Sequence, residues 1–300
     1  MIFDKIKYAI GSELIRLFWP VRVRGKARVL GALAPSSGRR EGRVFGYPMT
    51  LDLADYMQRM MYLGAYEREE TRIISGWLKP GMTFVDVGAN VGYFTLLASR
   101  RVGAGGRVIA IEPSPIVHER LAEVVASNGL AAEVHRIGLS DENGTCTLFL
   151  PPAEVGNHSP TMVRYEGSGS EVSVPVRRLD DCLDEWGVAA VDLLKIDVEG
   201  HEPAVFRGAS RALASGRIKA ILCEFNDFWL RQSGTTPQAA HELLTGLGFV
   251  DQGGPPVLGP GCVENRFFVH QSPAEDAPEV LAEHRQASLQ GQSPALPPSS

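Results

Sequence analysis

From residue 83 to residue 270 the chain alternates short apolar runs with longer stretches whose apolar residues recur every three or four positions. The runs "TFVDVG" (83–88), "RVIAIEP" (107–113), "EVHRIGL" (133–139), "DLLKIDV" (192–198), "KAILCEF" (219–225) and "RFFVH" (266–270) are predicted strands. Helical spacing is predicted for "YFTLLASRRV" (93–102), "PIVHERLAEVVASNG" (115–129), "EPAVFRGASRALASG" (202–216) and "TPQAAHELLTGLG" (236–248). In the second of these Val117, Leu121, Val124 and Val125 share a face, and Asn128-Gly129 stop the helix. Strand–helix repeats of this length imply a doubly wound α/β fold, a mostly parallel sheet covered on both faces. One stretch breaks the rhythm. After a turn at "SDENG" (140–144), "TCTLFL" (145–150) and "EVSVPV" (171–176) alternate as β-strands do and form a predicted hairpin insertion. The polar loop 156–170 between them offers Asn157, His158 and Ser159 to a polyol.

The flanks differ in character. "MIFDKIKYAIGSELIRLFWP" (1–20) places Ile6, Ile10, Leu14 and Leu17 at helical spacing, and "APSSGRREGR" (34–43) reads as a polar loop. The last thirty residues, 271–300, are rich in Pro, Ser and Gln and read as a largely disordered tail. Residues 1–50 hold 10 Lys/Arg against 3 Asp/Glu in a chain of net charge −5. That acidic total argues against nucleic acid as the partner. The basic segment admits weak membrane-surface contact by the N-terminal helix, with packing on its own domain as the default. No run reaches the ~20 apolar residues of a transmembrane helix. Cys146, Cys182, Cys223 and Cys262 form no C-x-x-C pair, which fits a reducing, cytoplasmic compartment. Nothing in the pattern fixes an oligomeric state.

The chemistry gathers at two strand ends. "FVDVGANVGYFT" (84–95) follows a strand and opens a helix, where Gly88 and Gly92 allow a tight turn and close ligand approach. The run is D-x-G-x-N-x-G rather than the G-x-G-x-x-G of dinucleotide sites. Asp86 would repel a pyrophosphate but suits the sulfonium of S-adenosylmethionine. Glu112, closing the second strand, is placed to accept from a ribose diol.

"YLGAYEREE", "LKPGMTFVDVGANVGYFT", "AIEPSP", "LSDENG" and "LLKIDVEGHEPAVFRGA" together resemble the FkbM family of S-adenosylmethionine-dependent methyltransferases, over about residues 60–270. The resemblance implies a class I, Rossmann-like sheet of seven strands with an antiparallel last strand. It also implies methyl transfer to a hydroxyl of a saccharide, glycolipid or secondary metabolite. The expected organisation is a basic N-terminal segment (1–59), a methyltransferase domain (60–270) and the tail (271–300).

The second strand end, "KIDVEGHE", runs an apolar strand into Asp197, Glu199, His201 and Glu202. The carboxyl-end rule for parallel sheets puts Asp197 beside the cofactor. Asp197, His201 and Glu199 are the candidate catalytic residues, with His201 the natural base for an attacking hydroxyl. Glu199 and Glu202 also read as charges at a helix N-terminus. Glu67, Asp86, Gly88, Asn90, Gly92, Glu112, Ser140 and Asp141 are the candidate cofactor residues. A metal is not the leading expectation; were Mg²⁺ bound, Asp197, Glu224 and Asn226 supply the oxygen ligands. Two other functions stay open: a nicotinamide oxidoreductase on a similar sheet, and a non-catalytic binding module.

Overall fold

The computed structural model describes residues 37–150, 160–164, 169–254 and 261–271. The helix expected at 1–20, the expected tail and the loop residues Asn157, His158 and Ser159 lie outside the described residues. The chain divides into two units between Thr71 and Arg72.

In the first unit β1 (Arg39–Val44) and β2 (Tyr47–Asp52) pair antiparallel, with Val44 opposite Tyr47. The two connecting residues, Phe45 (φ 53°) and Gly46 (φ 90°), both turn left-handed, as a tight hairpin connection demands. The expected loop 34–43 is therefore strand from Arg39 onward. Its apolar content gave no sign of this: only Val44 of β1 is buried, whereas β2 buries Met49 and Leu51. Cross-strand pairing, not its own side chains, makes β1 a strand. Helix α1 (Tyr56–Tyr62) starts where the Asp55 carboxylate accepts from Gln58 N at 2.9 Å. Helix α2 (Arg68–Trp77) follows.

The second unit continues through β3 (Thr83–Val87), α3 (Tyr93–Val102), β4 (Arg107–Ile111), α4 (Pro115–Ser127), β5 (Glu133–His135), β6 (Gly138–Leu139), β7 (Gly144–Phe149) and β8 (Glu171–Arg177). It ends with α5 (Leu179–Glu185), β9 (Leu193–Ile196), α6 (Glu202–Gly208), α7 (Ser210–Ala214), β10 (Ala220–Asn226), α8 (Asp227–Gln232), α9 (Pro237–Gly246), β11 (Phe249–Asp251) and β12 (Val263–His270). Seven strands form one sheet in the order β11-β12-β10-β9-β3-β4-β5. β12 runs antiparallel to both neighbours, and the β10–β9, β9–β3, β3–β4 and β4–β5 pairs are parallel. This is the doubly wound, mostly parallel architecture with an antiparallel last strand that the sequence led us to expect. Strands β3, β4 and β9 are buried almost end to end, as strands covered on both faces must be. Val85, Ile109, Ile196, Phe206, Phe225 and Phe268 lie in one core cluster with the helices around them.

The insertion is a second sheet, β6-β8-β7. Its β7/β8 hairpin matches expectation; β6 does not. The expected strand 133–139 splits, because β5 pairs with β4 only from Glu133 to His135 before the chain crosses to pair Gly138 with Val176. The expected helix 202–216 also breaks, at Ala209. There Asp180, on α5, sends its buried carboxylate to accept from Arg211 N (3.0 Å) and Ala212 N (2.8 Å), so a new helix starts under a cap supplied from elsewhere. Helices α5 and α8, seven and six residues long, are too short to have announced themselves by periodicity.

Candidate active site

Strands β3 and β9 lie side by side, and the chain leaves β3 toward β4 on its other flank. The crevice outside their carboxyl ends is the switch point where open α/β sheets bind ligands. The turn after β3 is tight. Gly88 takes φ 76° and donates its N–H to the Ile111 carbonyl at 3.0 Å. A Cβ on Gly88 would stand 1.9 Å from the Asp197 carbonyl oxygen, so only glycine lets the two strand ends meet. Asn90 is left-handed at φ 50°, and its Oδ1 accepts from Val91 N at 2.8 Å, a conformation that Asn supports. Gly92 (φ 93°) precedes α3, whose start carries no side-chain cap. A Cβ there would press on Leu121 Cδ1 at 2.7 Å.

Glu112 ends β4 and is buried. Its two carboxylate oxygens accept from Asn90 N and Ser114 N, each at 3.0 Å, so it braces the glycine turn from the next strand. Burial pushes its carboxyl up to about 7 against the pull of those two N–H groups. Asp86 is fully buried. Its Oδ2 accepts from the Thr95 hydroxyl at 2.8 Å, and its Oδ1 has no hydrogen-bond partner. Burial raises its carboxyl, opposed by Lys195 and Thr95.

After β9, Asp197 donates its N–H to the Val87 carbonyl at 3.1 Å and keeps a third of its side chain, 31%, exposed. The chain then turns through Glu199 (φ 52°) and Gly200 (φ 93°). Glu202 holds that turn: its Oε1 accepts from Val198 N (3.2 Å) and Gly200 N (3.1 Å). The reading of Glu202 as a helix-end charge was incomplete, for the residue is buried and its carboxyl is pushed up to about 7 by burial. Thr161 donates its hydroxyl to the Glu199 carbonyl at 3.2 Å.

His201 stands at the start of α6 with Nε2 3.1 Å from the Ser140 hydroxyl, which donates in turn to Asp141 Oδ1 at 3.2 Å. Burial lowers the imidazole's pKa, with Asp141 opposing, so it is held neutral near pH 7. Asp141 pairs with Arg207 Nε at 2.9 Å; burial works to raise its carboxyl, and the bonds from Arg207, its own backbone N–H and Ser140, with the Arg207 charge, together outweigh that and lower it. A Cβ on Gly208 would fall 1.9 Å from the Ser140 carbonyl oxygen, so α6 packs directly on this loop. The structure thus joins Ser140, Asp141 and His201 in one cluster, and Asp86, Gly88, Asn90, Gly92, Glu112 and Asp197 around the switch point. Glu67 belongs to the first unit, where its carbonyl accepts from the Thr71 hydroxyl at 2.6 Å. Asn226 caps α8, its Oδ1 accepting from Trp229 N at 3.5 Å, beside Glu224 at the end of β10. Among the described residues no group of three or more His, Cys, Asp or Glu is arranged to hold a metal ion.

Sequence reasoning missed Lys195. Its Nζ donates to Asp197 Oδ2 at 3.2 Å and to the Gly88 carbonyl at 3.4 Å, and lies 3.9 Å from Asp86 Oδ1. The signal was present: a lysine inside "DLLKIDV" has no solvent face to occupy. No helix among the described residues is long and apolar enough to cross a membrane.

The family model for the methyltransferase FkbM domain matches residues 86–250. The chain is 32% identical over 177 residues to the 31-O-demethyl-FK506 methyltransferase FkbM of Streptomyces tacrolimicus, covering 50% of this chain and 67% of that protein. It is 27% identical over 202 residues to the 2-O-methyltransferase NoeI of Sinorhizobium fredii, covering 60% and 78%. Over 171 residues it is 44% identical to ribosomal RNA large subunit methyltransferase E of Sorangium cellulosum, covering 57% and 73%. For several other curated relatives the chain spans less than two thirds of their length.

Proposed function

The chain belongs to the FkbM methyltransferase domain family, and we propose that this methyltransferase moves a methyl group from S-adenosylmethionine to a hydroxyl of a saccharide, glycolipid or secondary metabolite. The observation that carries the reading is the meeting of Gly88 with the Asp197 carbonyl, which sets the glycine turn and a partly exposed carboxylate side by side at the strand ends.

The residues present fit the cofactor. Gly88 and Gly92 let the turn close tightly against Asp197 and Leu121, Asn90 holds the left-handed conformation between them, and Glu112 keeps further lone pairs for a ribose diol. Ser140 and Asp141 follow β6, the short strand the chain enters after β5, and are proposed to meet the base. Asp86 acts from beneath, through its field and through Lys195, since it presents no surface of its own. When bound, S-adenosylmethionine supplies an electrophilic methyl on a good leaving group. The protein then has to align the attacking oxygen and take its proton. Asp197 is the group proposed to receive that proton. His201, neutral and tied to Ser140, and Glu199, on the same turn, are proposed to orient the acceptor. Proton, methyl and charge balance: the acceptor's O–H bond breaks, an O–CH₃ bond forms, and the sulfur leaves uncharged.

Isothermal titration with S-adenosylhomocysteine tests the cofactor reading, and the absence of micromolar binding would remove it. Mass spectrometry of glycans and small metabolites from cells with and without the gene tests the acceptor, through a one-methyl mass difference. The Sorangium relative makes ribosomal RNA the necessary control: methyl incorporation into RNA alone would displace the hydroxyl-metabolite reading.

A further inference from the structure

Lys195 stands opposite Asp86 in the register of β3 and β9, in the middle of the sheet. It is only 6% exposed. Burying an ammonium at such a place is unfavourable unless opposite charge and acceptors surround it. The surroundings supply both. Asp197 Oδ2 and the Gly88 carbonyl accept from Nζ, Asp86 Oδ1 lies 3.9 Å away, and the Phe94 ring centroid lies 5.3 Å away. One ammonium therefore faces two carboxylates, one under each lip of the crevice. Asp86 Oδ1, buried and without a hydrogen bond, is answered by that positive charge alone among the contacts described for it.

The two forms of the cofactor differ by one charge. The sulfonium is a cation, and the thioether left after transfer is neutral. Were the cofactor bound in this crevice, two unscreened carboxylates there would favour the cation by a wide margin. A cation seated between them cuts that margin. We infer that Lys195 determines the relative affinity for S-adenosylmethionine and S-adenosylhomocysteine by screening Asp86 and Asp197 from the sulfur. This inference rests on the crevice being the cofactor site, as argued above. Lys195 is in this sense a specificity-determining residue that acts on the charge state of the ligand rather than on its shape.

Calorimetric titration of both ligands into the full chain, the wild type and the variants Lys195→Met and Lys195→Gln, tests it without any acceptor. Met removes charge and donors together; Gln removes the charge and keeps donors. In the wild type the two ligands are expected to bind within about tenfold of each other, and in both variants the ratio moves toward S-adenosylmethionine by about tenfold or more. A purely structural lysine would weaken both ligands alike and leave the ratio where it was, and that result overturns the inference. Should neither variant fold, the wild type decides alone: a preference for S-adenosylmethionine beyond about a hundredfold means that the carboxylates are not screened. If neither ligand binds the wild type, the cofactor reading itself falls and takes the inference with it.

Discussion

Gly88 shows how narrowly one residue can be determined. It combines φ 76° with a 1.9 Å approach of any Cβ to the Asp197 carbonyl. Gly88→Ala should therefore lower thermal stability and weaken S-adenosylhomocysteine binding by more than tenfold, read by calorimetry. Asp197→Asn should slow turnover by about a hundredfold or more while leaving S-adenosylhomocysteine affinity within a few-fold. Turnover unchanged in Asp197→Asn would remove Asp197 from the chemistry. Glu202 yields a pH prediction. Its folded-state value of about 7 lies above the ordinary 4.5, so the folded chain keeps a proton that the unfolded chain has already released. Its contribution is present in full below about pH 4.5 and is lost as pH rises toward 7, a swing on the order of 3 kcal/mol. Gln at this position still accepts from Val198 N and Gly200 N but cannot ionise. Glu202→Gln should match the wild type in melting temperature near pH 4.5 and exceed it by several degrees at pH 8. The glycine turn at 88–92 was legible at this scale because its residues are neighbours in sequence. Lys195 gave a signal, a charge inside an apolar strand, but its partners beyond Asp197, namely the Gly88 carbonyl and Asp86, come from the neighbouring strand and could not be read locally.

At the scale of elements, legibility followed burial. The strands β3, β4, β9 and β10 are covered on both faces, so their apolar runs could be read directly. β1 owes its existence to β2, and "RREGR" therefore read as loop. The break between α6 and α7 depends on Asp180, some thirty positions earlier in the chain, and no local periodicity could report it. That dependence is testable. Asp180→Ala strips acceptors from two helix-start N–H groups and should cost about 1–3 kcal/mol in denaturant unfolding. A loss under a few tenths of a kcal/mol would mean that α7 is held by its buried Ala212 and Leu213 instead.

For the whole molecule, strand order does what no single motif can. The pairing of β3 with both β4 and β9 brings sequence positions 88, 112 and 197 to one crevice. Ligand binding there should register across the sheet. S-adenosylhomocysteine at a hundred times its Kd should stabilise the folded chain by about 2.7 kcal/mol, visible as a rise in melting temperature. Hydrogen exchange should slow at residues 88–92 and 197–202 with little change in the β7/β8 hairpin. Protection confined to that hairpin would point to a different site.

The fit of Gly208 against the Ser140 carbonyl has a bearing on how such a scaffold can change its diet. With no slack between them, the backbone at Ser140 and the imidazole of His201 form a splint that tolerates no added methyl. Sequence change should then be borne at open positions such as Phe228 of α8 and Val263 of β12, while the splint stays as it is.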